Sequence, residues 1–125
     1  MLDVINLFLN ATIIGTTLLV NVTVTQLAPY YFPNCNIIVY YWLENNLIGF
    51  TNVPIEILPY SIETYPFSFN LQEYKSGKLK VEAYVSCERV NLYGNHIAFQ
   101  GGKEILLIYN GTGQIPKVLI DKEKT

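Results

Sequence analysis

Apolar side chains recur at every second position over several stretches of this chain. In the clearest stretch, Leu79, Val81, Ala83 and Val85 are separated by single residues of other kinds. Successive side chains of a β-strand point to opposite faces of its sheet, so this spacing predicts a strand with one buried face. A helix requires spacings of three and four residues, and only residues 1–9 show a weak pattern of that kind. The period of two therefore restricts the chain to a fold built from strands.

The same reasoning divides the chain into strands separated by turn signals. The predicted strands cover residues 16–26, 36–44, 47–57, 62–71, 78–88 and 103–109, with one extra strand at each end. Residues 37–43 are apolar on both faces, as expected of a central strand, whereas Pro54 and Pro59 confine the next strand to a sheet edge. Gly101-Gly102 predicts a hairpin turn between residues 96–100 and 103–109. This pattern predicts an all-β fold, an antiparallel β-sandwich of about seven to nine strands.

A chain of 125 residues is expected to form a single domain, residues 1–125. The charged tail, residues 121–125, is expected to be frayed. Between residues 4 and 26 there is no charged side chain, which leaves two interpretations. One is a membrane span or signal segment that tethers the domain through residues 4–24. The other is an ordered strand, which we favour because polar residues interrupt the stretch and its second half alternates.

Both ends of the chain carry apolar, strand-prone runs beyond the central strands, at residues 4–14 and 115–120. Residues 1–14 can be interpreted as an N-terminal extension, an anchor or a strand that is donated to the sheet edge of a neighbouring molecule. Strand donation would give a head-to-tail assembly, and therefore an open filament. The alternative is that both runs pair within their own sandwich.

The distribution of charge and of reactive side chains excludes several classes of function. Net charge is −2 and Arg89 is the only arginine, so no basic stripe is available to bind nucleic acid. His96 is the only histidine, and no spacing of ligands suggests a metal site or another cofactor. No serine lies in a nucleophile elbow and no pair of carboxylates forms a catalytic motif. We therefore expect a protein that is not an enzyme.

Three triplets match the acceptor signal for N-glycosylation. They begin at Asn10, Asn21 and Asn110 and have threonine at the third position. Asn21 is expected on the outward face of its strand, and Asn110 just after a strand, beside glycines. Such triplets also arise by chance in a chain rich in Asn and Thr, so these asparagines are candidates for modification.

Residues 17–24, 37–42 and 76–85 together resemble the immunoglobulin-like superfamily in its fibronectin type III or cell-adhesion-related form. The resemblance covers residues 12–109 and implies an immunoglobulin-like sandwich. The abundance of Tyr, Ile and Asn and the threonine-rich strands are also similar in style to surface proteins of archaea and of archaeal viruses.

In an immunoglobulin-like sandwich the strands that carry Cys35 and Cys87 are neighbours, so the resemblance implies a disulfide at one pole of the domain. Trp42 follows Cys35 by only seven residues, unlike the spacing in antibody domains. The bond is therefore expected within one sheet or between its rim loops, and it implies an oxidising compartment, outside the cell. Two free, buried thiols are the alternative.

Aromatic residues are expected at the same pole as the cysteines. Tyr30, Tyr31 and Phe32 lie in a loop bounded by prolines, and Tyr93 lies in a later loop. Exposed tyrosines bury a large area at low entropic cost, so these four residues are candidates for binding a partner protein or a glycan. The alternative is that they cap the end of the sandwich.

These features favour a structural or interaction module of an extracellular assembly, such as a pilus-like filament, a surface layer or a virion. Self-association, or contact with other surface proteins, is the expected activity. A carbohydrate- or protein-binding sandwich that uses the aromatic pole is the first alternative. A membrane-tethered extracellular domain is the second.

Overall fold

The computed structural model describes residues 4–90 and 96–111, which form seven strands joined by short turns and loops. In chain order these are β1 (Ile5–Ile14), β2 (Thr17–Gln26), β3 (Phe32–Leu43), β4 (Asn46–Ile57), β5 (Ile62–Asn70), β6 (Gly77–Val90) and β7 (His96–Tyr109). The described part of the chain contains no helix long and apolar enough to span a membrane.

The strands form two antiparallel sheets that share one core. The three-stranded sheet has the order β1-β2-β5, and the four-stranded sheet has the order β4-β3-β6-β7. The prediction of an all-β fold with antiparallel sheets is therefore confirmed. β3 is central and β4 lies at an edge, as the apolar run at 37–43 and the prolines of the next strand indicate.

Alternating residues of the strands build the core. Leu79, Val81, Ala83 and Val85 of β6 are fully buried, in agreement with the sequence pattern. They lie in one hydrophobic cluster with Leu18, Val20, Val22 and Val24 of β2, in the opposite sheet, and with Ile37, Val39 and Tyr41 of β3. Each buried side chain of this size contributes about 1.5–3 kcal/mol, so the facing valines and leucines hold the two sheets together.

Aromatic contacts and a buried hydrogen bond connect the two sheets. Tyr41 of β3 stacks on Phe69 of β5 with ring centroids 4.5 Å apart. Gly49 of β4 leaves room for the same ring, since a Cβ atom there would lie 2.6 Å from Phe69 Cε1. The Tyr109 hydroxyl at the end of β7 donates a hydrogen bond of 2.8 Å to the Leu71 carbonyl oxygen. The sheets are thereby fixed relative to one another near one end.

The N-terminal stretch without charged residues forms strands. β1 and β2 pair through ten residues on each side, and the turn between them uses Gly15 with a positive φ of 63°. Residues 5–14 thus pair within their own sheet. This is the alternative to their donation to a neighbouring molecule. The apolar run at 115–120 and the tail at 121–125 lie outside the described residues.

The predicted hairpin across Gly101-Gly102 is wrong. β7 runs without interruption from His96 to Tyr109, and both glycines pair with β6. Gly102 lies opposite Tyr84, and a Cβ atom at Gly102 would collide with the Tyr84 ring. The glycine therefore accommodates an aromatic ring from the neighbouring strand and does not turn the chain.

The disulfide joins the two central strands of the four-stranded sheet. Cys35 of β3 lies directly opposite Cys87 of β6, with a Cα–Cα distance of 4.0 Å and an S–S bond of 2.09 Å. The predicted bond is confirmed, and it lies within one sheet. Cys35 is part of β3 and does not precede it, because β3 begins at Phe32 with an irregular register before Cys35.

Removal of this bond is expected to destabilise the domain. The cysteines are separated by 52 residues, and the chain-entropy model gives about 4 kcal/mol for a loop of this length. We expect the double substitution Cys35→Ala/Cys87→Ala to lower the free energy of unfolding by about 2–4 kcal/mol in urea titrations. Wild-type protein in reductant should show a comparable loss, and the double variant should not respond to reductant. Equal midpoints for oxidised wild type and variant would contradict this expectation.

Candidate functional site

Two loops form the pole at which aromatic contact residues are predicted. Residues 27–31 join β2 to β3, and residues 58–61 join β4 to β5. The Tyr60 amide donates to the Ala28 carbonyl oxygen at 3.1 Å, and the Gln26 amide donates to the Ser61 carbonyl oxygen at 2.9 Å. These backbone hydrogen bonds hold the two loops side by side.

The predicted contact residues at this pole differ in their exposure. Tyr30 and Tyr31 are exposed, the latter at 48%, and the neighbouring loop adds Tyr60. Phe32 is only 7% exposed and belongs to the hydrophobic core, so its prediction as a contact residue is wrong. The reason is that β3 begins at Phe32, which turns this side chain inward. Tyr93 lies outside the described residues.

The Tyr31 hydroxyl, just before β3, is hydrogen-bonded to the carboxylate of a residue on β4. Its hydroxyl donates a hydrogen bond of 2.5 Å to Glu56 Oε2 on β4. This bond raises the pKa of Tyr31 above its ordinary value of 10.0, because deprotonation would remove the donor. Loss of hydration and repulsion from the Glu56 carboxylate raise the pKa further. The pair orients the Tyr31 ring at the rim of the pole.

A larger cluster of exposed apolar side chains lies on the outer face of the four-stranded sheet. The strongly exposed members are Leu47 and Phe50 on β4 and Leu106 and Ile108 on β7. Tyr40, Trp42 and Tyr84 are half-buried between them. We call this surface the aromatic face. The strongly exposed residues lie on the two edge strands, and the half-buried rings and Lys80 lie between them. Large exposed apolar areas often mark interaction sites in proteins.

The register arranges the aromatic face in rows that cross all four strands. One row contains, in spatial order, Leu106, Lys80, Trp42 and Leu47. The next row contains Glu104, Glu82, Tyr40 and Phe50. Each residue lies directly opposite its neighbours in the row, so their side chains are close enough to interact.

Polar atoms on the aromatic face have partners within it. The Trp42 indole Nε1–H donates to Glu82 Oε1 at 2.8 Å, and Lys80 Nζ lies 3.8 Å from Glu82 Oε2. Lys80 Nζ also lies 5.4 Å from the centroid of the Trp42 ring, in cation–π geometry. These three residues form a connected unit whose charges partly cancel.

The rings of the aromatic face pack across the strands. Tyr40 contacts Phe50 and Tyr84, with centroid distances of 6.2 Å and 6.0 Å. Burial raises the pKa of the Tyr84 hydroxyl, and the carboxylates of Glu82 and Glu104 raise it further. Tyr84 is therefore a neutral hydrogen-bonding group at any physiological pH.

An open groove runs along one end of the aromatic face, near the turn between β3 and β4. Its volume is about 720 Å³, and Trp42, Lys78, Lys80, Leu106 and Ile108 are among the residues that line it. Within residues 4–90 and 96–111 no group of three or more His, Cys, Asp or Glu side chains could hold a metal ion. The groove and the face around it offer apolar area edged by charge, which suits contact with another macromolecule.

Sequence reasoning missed the aromatic face, although one signal was present. Residues 105–108 are apolar at every position, yet β7 is an edge strand. In a sandwich of two sheets every strand has one outward face, so a strand that is apolar on both faces must expose one of them. The remaining members come from three separate strands, and only the register brings them together.

The candidate glycosylation sites are exposed in the structure. Asn10 and Asn21 lie opposite each other on the outer face of the three-stranded sheet. Asn110 follows β7 and is exposed, while the threonine of its triplet, Thr112, lies outside the described residues.

Glu56→Ala is expected to lower the pKa of Tyr31 towards 10.0, because it removes both the hydrogen-bond acceptor and the neighbouring negative charge. NMR titration of protein with labelled tyrosine rings measures this pKa, and the Tyr31→Phe variant identifies the signal. Glu63→Ala serves as the control, since Glu63 is a carboxylate that does not bond to Tyr31. An unchanged Tyr31 pKa in Glu56→Ala would show that the hydrogen bond is absent in solution.

With the geometry of both surfaces established, the chain was compared with models of known protein families, with curated proteins and with solved structures, and none of them gives a significant match.

Proposed function

We propose that this protein is a non-enzymatic structural module of an extracellular assembly, and that it associates with a second copy through the aromatic face. The observation that carries the proposal is the set of strongly exposed apolar side chains on that face, Leu47, Phe50, Leu106 and Ile108. The Cys35–Cys87 bond supports an oxidising location such as the cell surface, a filament or a virion.

The charges on the aromatic face are self-complementary. Along β6 the outward residues run from Lys78 and Lys80 to Glu82 and then Glu88. We place a two-fold axis in the plane of the interface, perpendicular to the strands and midway between the row of Lys80 and the row of Glu82. Rotation about this axis brings the second copy face to face with the first and reverses the order of its rows. Lys80 then lies over Glu82 of the second copy, and Trp42 lies over Tyr40 of the second copy. Such an isologous contact pairs the opposite charges of β6 and the rings of β3, and it places Leu106 over Glu104 of the second copy at the edge of the contact.

The area of the aromatic face is sufficient for a specific contact. Four strands about 4.8 Å apart and four rows about 6.7 Å apart cover about 500 Å² on each copy. Two copies then bury about 1,000 Å² in total, which is the lower limit for a specific interface. We therefore expect a dimer that forms reversibly. Further contacts within a larger assembly would stabilise it.

Exchange of a terminal strand is the alternative mode of assembly. It requires β1 to leave β2, with which it pairs through ten residues. Contact through the aromatic face requires no strand to leave its sheet, so we favour it. Substitution of Phe50 and Leu106 distinguishes the two modes, because both residues lie on the aromatic face and strand exchange by β1 does not depend on them.

We also infer that the sandwich is immunoglobulin-like, in the fibronectin type III arrangement. In immunoglobulin domains the first, second and fifth strands share one sheet, and the third, sixth and seventh share the other. The order β1-β2-β5 and β4-β3-β6-β7 agrees with this, with the fourth strand moved to the second sheet. Modules of this kind commonly serve as building blocks of surface proteins, which supports the proposed role.

The double substitution Phe50→Glu/Leu106→Glu is expected to weaken dimerisation at least about tenfold, which corresponds to about 1.4 kcal/mol, because it places unpaired charges in the contact. Sedimentation velocity over a range of concentrations measures the association. Phe8→Glu is the matched control, since Phe8 is 58% exposed, close to the 64% of Phe50, but lies on the three-stranded sheet. A wild-type protein that stays monomeric at every concentration would refute the proposal.

A charge exchange tests whether the partner is a second copy. Lys80→Glu and Glu82→Lys each place like charges opposite one another in a homodimer, so each variant alone should associate weakly. A mixture of the two variants restores opposite charges at both positions and should form heterodimers. No gain of association on mixing would exclude the two-fold arrangement.

Ligand binding at the loop pole is a second candidate function. Tyr30, Tyr31 and Tyr60 are exposed there, and the Glu56 carboxylate beside Tyr31 can accept hydrogen bonds from sugar hydroxyls. If the pole binds glycans, Tyr31→Ala should abolish binding on a glycan array, whereas Phe50→Glu should leave it intact. An array without any bound glycan removes this candidate.

A further inference from the structure

Two of the three candidate acceptors for N-glycosylation form a cross-strand pair. Asn10 of β1 lies directly opposite Asn21 of β2, and both side chains are exposed. Residues directly opposite in an antiparallel pair have Cβ atoms about 4.5–5.5 Å apart. The two acceptor amides therefore lie within one small area of the outer face of the three-stranded sheet.

The surroundings of this pair are suited to a carbohydrate. The outward positions of β1, β2 and β5 carry no charged side chain, and hydroxyl and amide groups dominate them. The polar members are Asn6, Asn10, Thr12, Thr17, Asn21, Thr23, Thr25, Thr64, Ser68 and Asn70. Such groups can donate hydrogen bonds to sugar oxygens and accept them from sugar hydroxyls.

We propose that this pair is an N-glycosylation site that accepts one glycan at a time, with Asn10 as the preferred acceptor. Two glycans rooted about 5 Å apart on one flat surface compete for the same volume. Occupation of one asparagine therefore blocks the other. This inference does not depend on the proposed dimer, but it agrees with it, because the glycan lies on the sheet opposite the aromatic face.

The preference for Asn10 follows from the positions of the two triplets. β1 is an edge strand with one neighbour, so a transferase that displaces it breaks one ladder of hydrogen bonds. β2 pairs with β1 and β5, so its displacement would break two. The third residue of the Asn10 triplet, Thr12, is exposed. In the Asn21 triplet the Thr23 hydroxyl is engaged with the Thr64 hydroxyl at 2.9 Å. The signal that the transferase reads is therefore more accessible at Asn10.

The modification is a group transfer from a polyisoprenoid-phosphate-linked oligosaccharide. The bond between C1 of the first sugar and the phosphate oxygen of the donor breaks, and a bond between that C1 and Asn10 Nδ2 forms. The amide nitrogen loses one proton to the base of the transferase, and the lipid phosphate is the leaving group. No change of oxidation state is involved.

Secretion of the full chain from a glycosylating eukaryotic host tests the proposal. All variants carry Thr112→Ala, so that Asn110 is not an acceptor and the glycan count refers to the pair alone. Intact mass counts glycans per molecule, and peptide mass after enzymatic deglycosylation identifies the asparagine, which becomes aspartate. We expect one glycan per molecule, predominantly on Asn10.

Threonine substitutions distinguish the two acceptors and leave both asparagines in place. Thr23→Ala should not change the occupancy of Asn10, whereas Thr12→Ala should move the glycan to Asn21 with lower occupancy. The double variant should lose the glycan mass completely, and a cooperative melting transition together with the intact disulfide should show that it is folded. Molecules with two glycans, a predominance of Asn21 or the absence of glycans from both asparagines would each overturn the proposal.

Discussion

The disulfide between Cys35 and Cys87 fixes the register of β3 on β6, and most of the structure follows from that register. Side chains alternate along a strand, so a slip by one residue would move every side chain to the other face of the sheet. Val81, Ala83 and Val85 would then face solvent, and Tyr84 would enter the core. The bond is compatible with only this pairing, so it stabilises the register that buries the core and exposes the aromatic face.

The two outer faces of the molecule differ in chemistry although they share one core. The outer face of the three-stranded sheet is uncharged and combines threonine, serine and asparagine with exposed apolar residues such as Phe8 and Ile62. The outer face of the four-stranded sheet combines aromatic and aliphatic side chains with charged residues such as Lys80, Glu82 and Glu104. The exposed apolar area on each face gains free energy when another surface covers it. The unit of Trp42, Lys80 and Glu82 satisfies its own polar atoms, so covering it leaves few groups without partners. The two outer faces therefore differ most clearly in their charge.

The sequence predicted those parts of the fold that depend on local pattern. The alternation along β2 and β6 identified buried residues such as Val22 and Val81, and the prolines identified β4 as an edge strand. The interpretation of Gly102 failed because glycine at that position makes room for a ring from another strand, which local sequence does not report. Phe32 was misplaced because the start of β3 depends on an irregular register near Cys35.

Apart from the apolar run at residues 105–108, the sequence does not indicate the aromatic face, and it does not indicate the pair of Asn10 and Asn21, because both depend on which residues lie opposite each other. Residues that are distant in the chain, such as Phe50 and Leu106, meet on one surface only after four strands are aligned. Spacing along the chain reports the face of a strand, but it does not report the partner across the sheet.

The alternation of β6 has a consequence for how such a chain can change over time. Its odd-numbered residues from Leu79 to Cys87 belong to the core, and its even-numbered residues from Lys78 to Glu88 face outward. Substitutions that alter the core and substitutions that alter the outer surface therefore fall on separate, interleaved sets of codons. The outward set can diverge with little effect on the core, while the inward set preserves the fold beneath it.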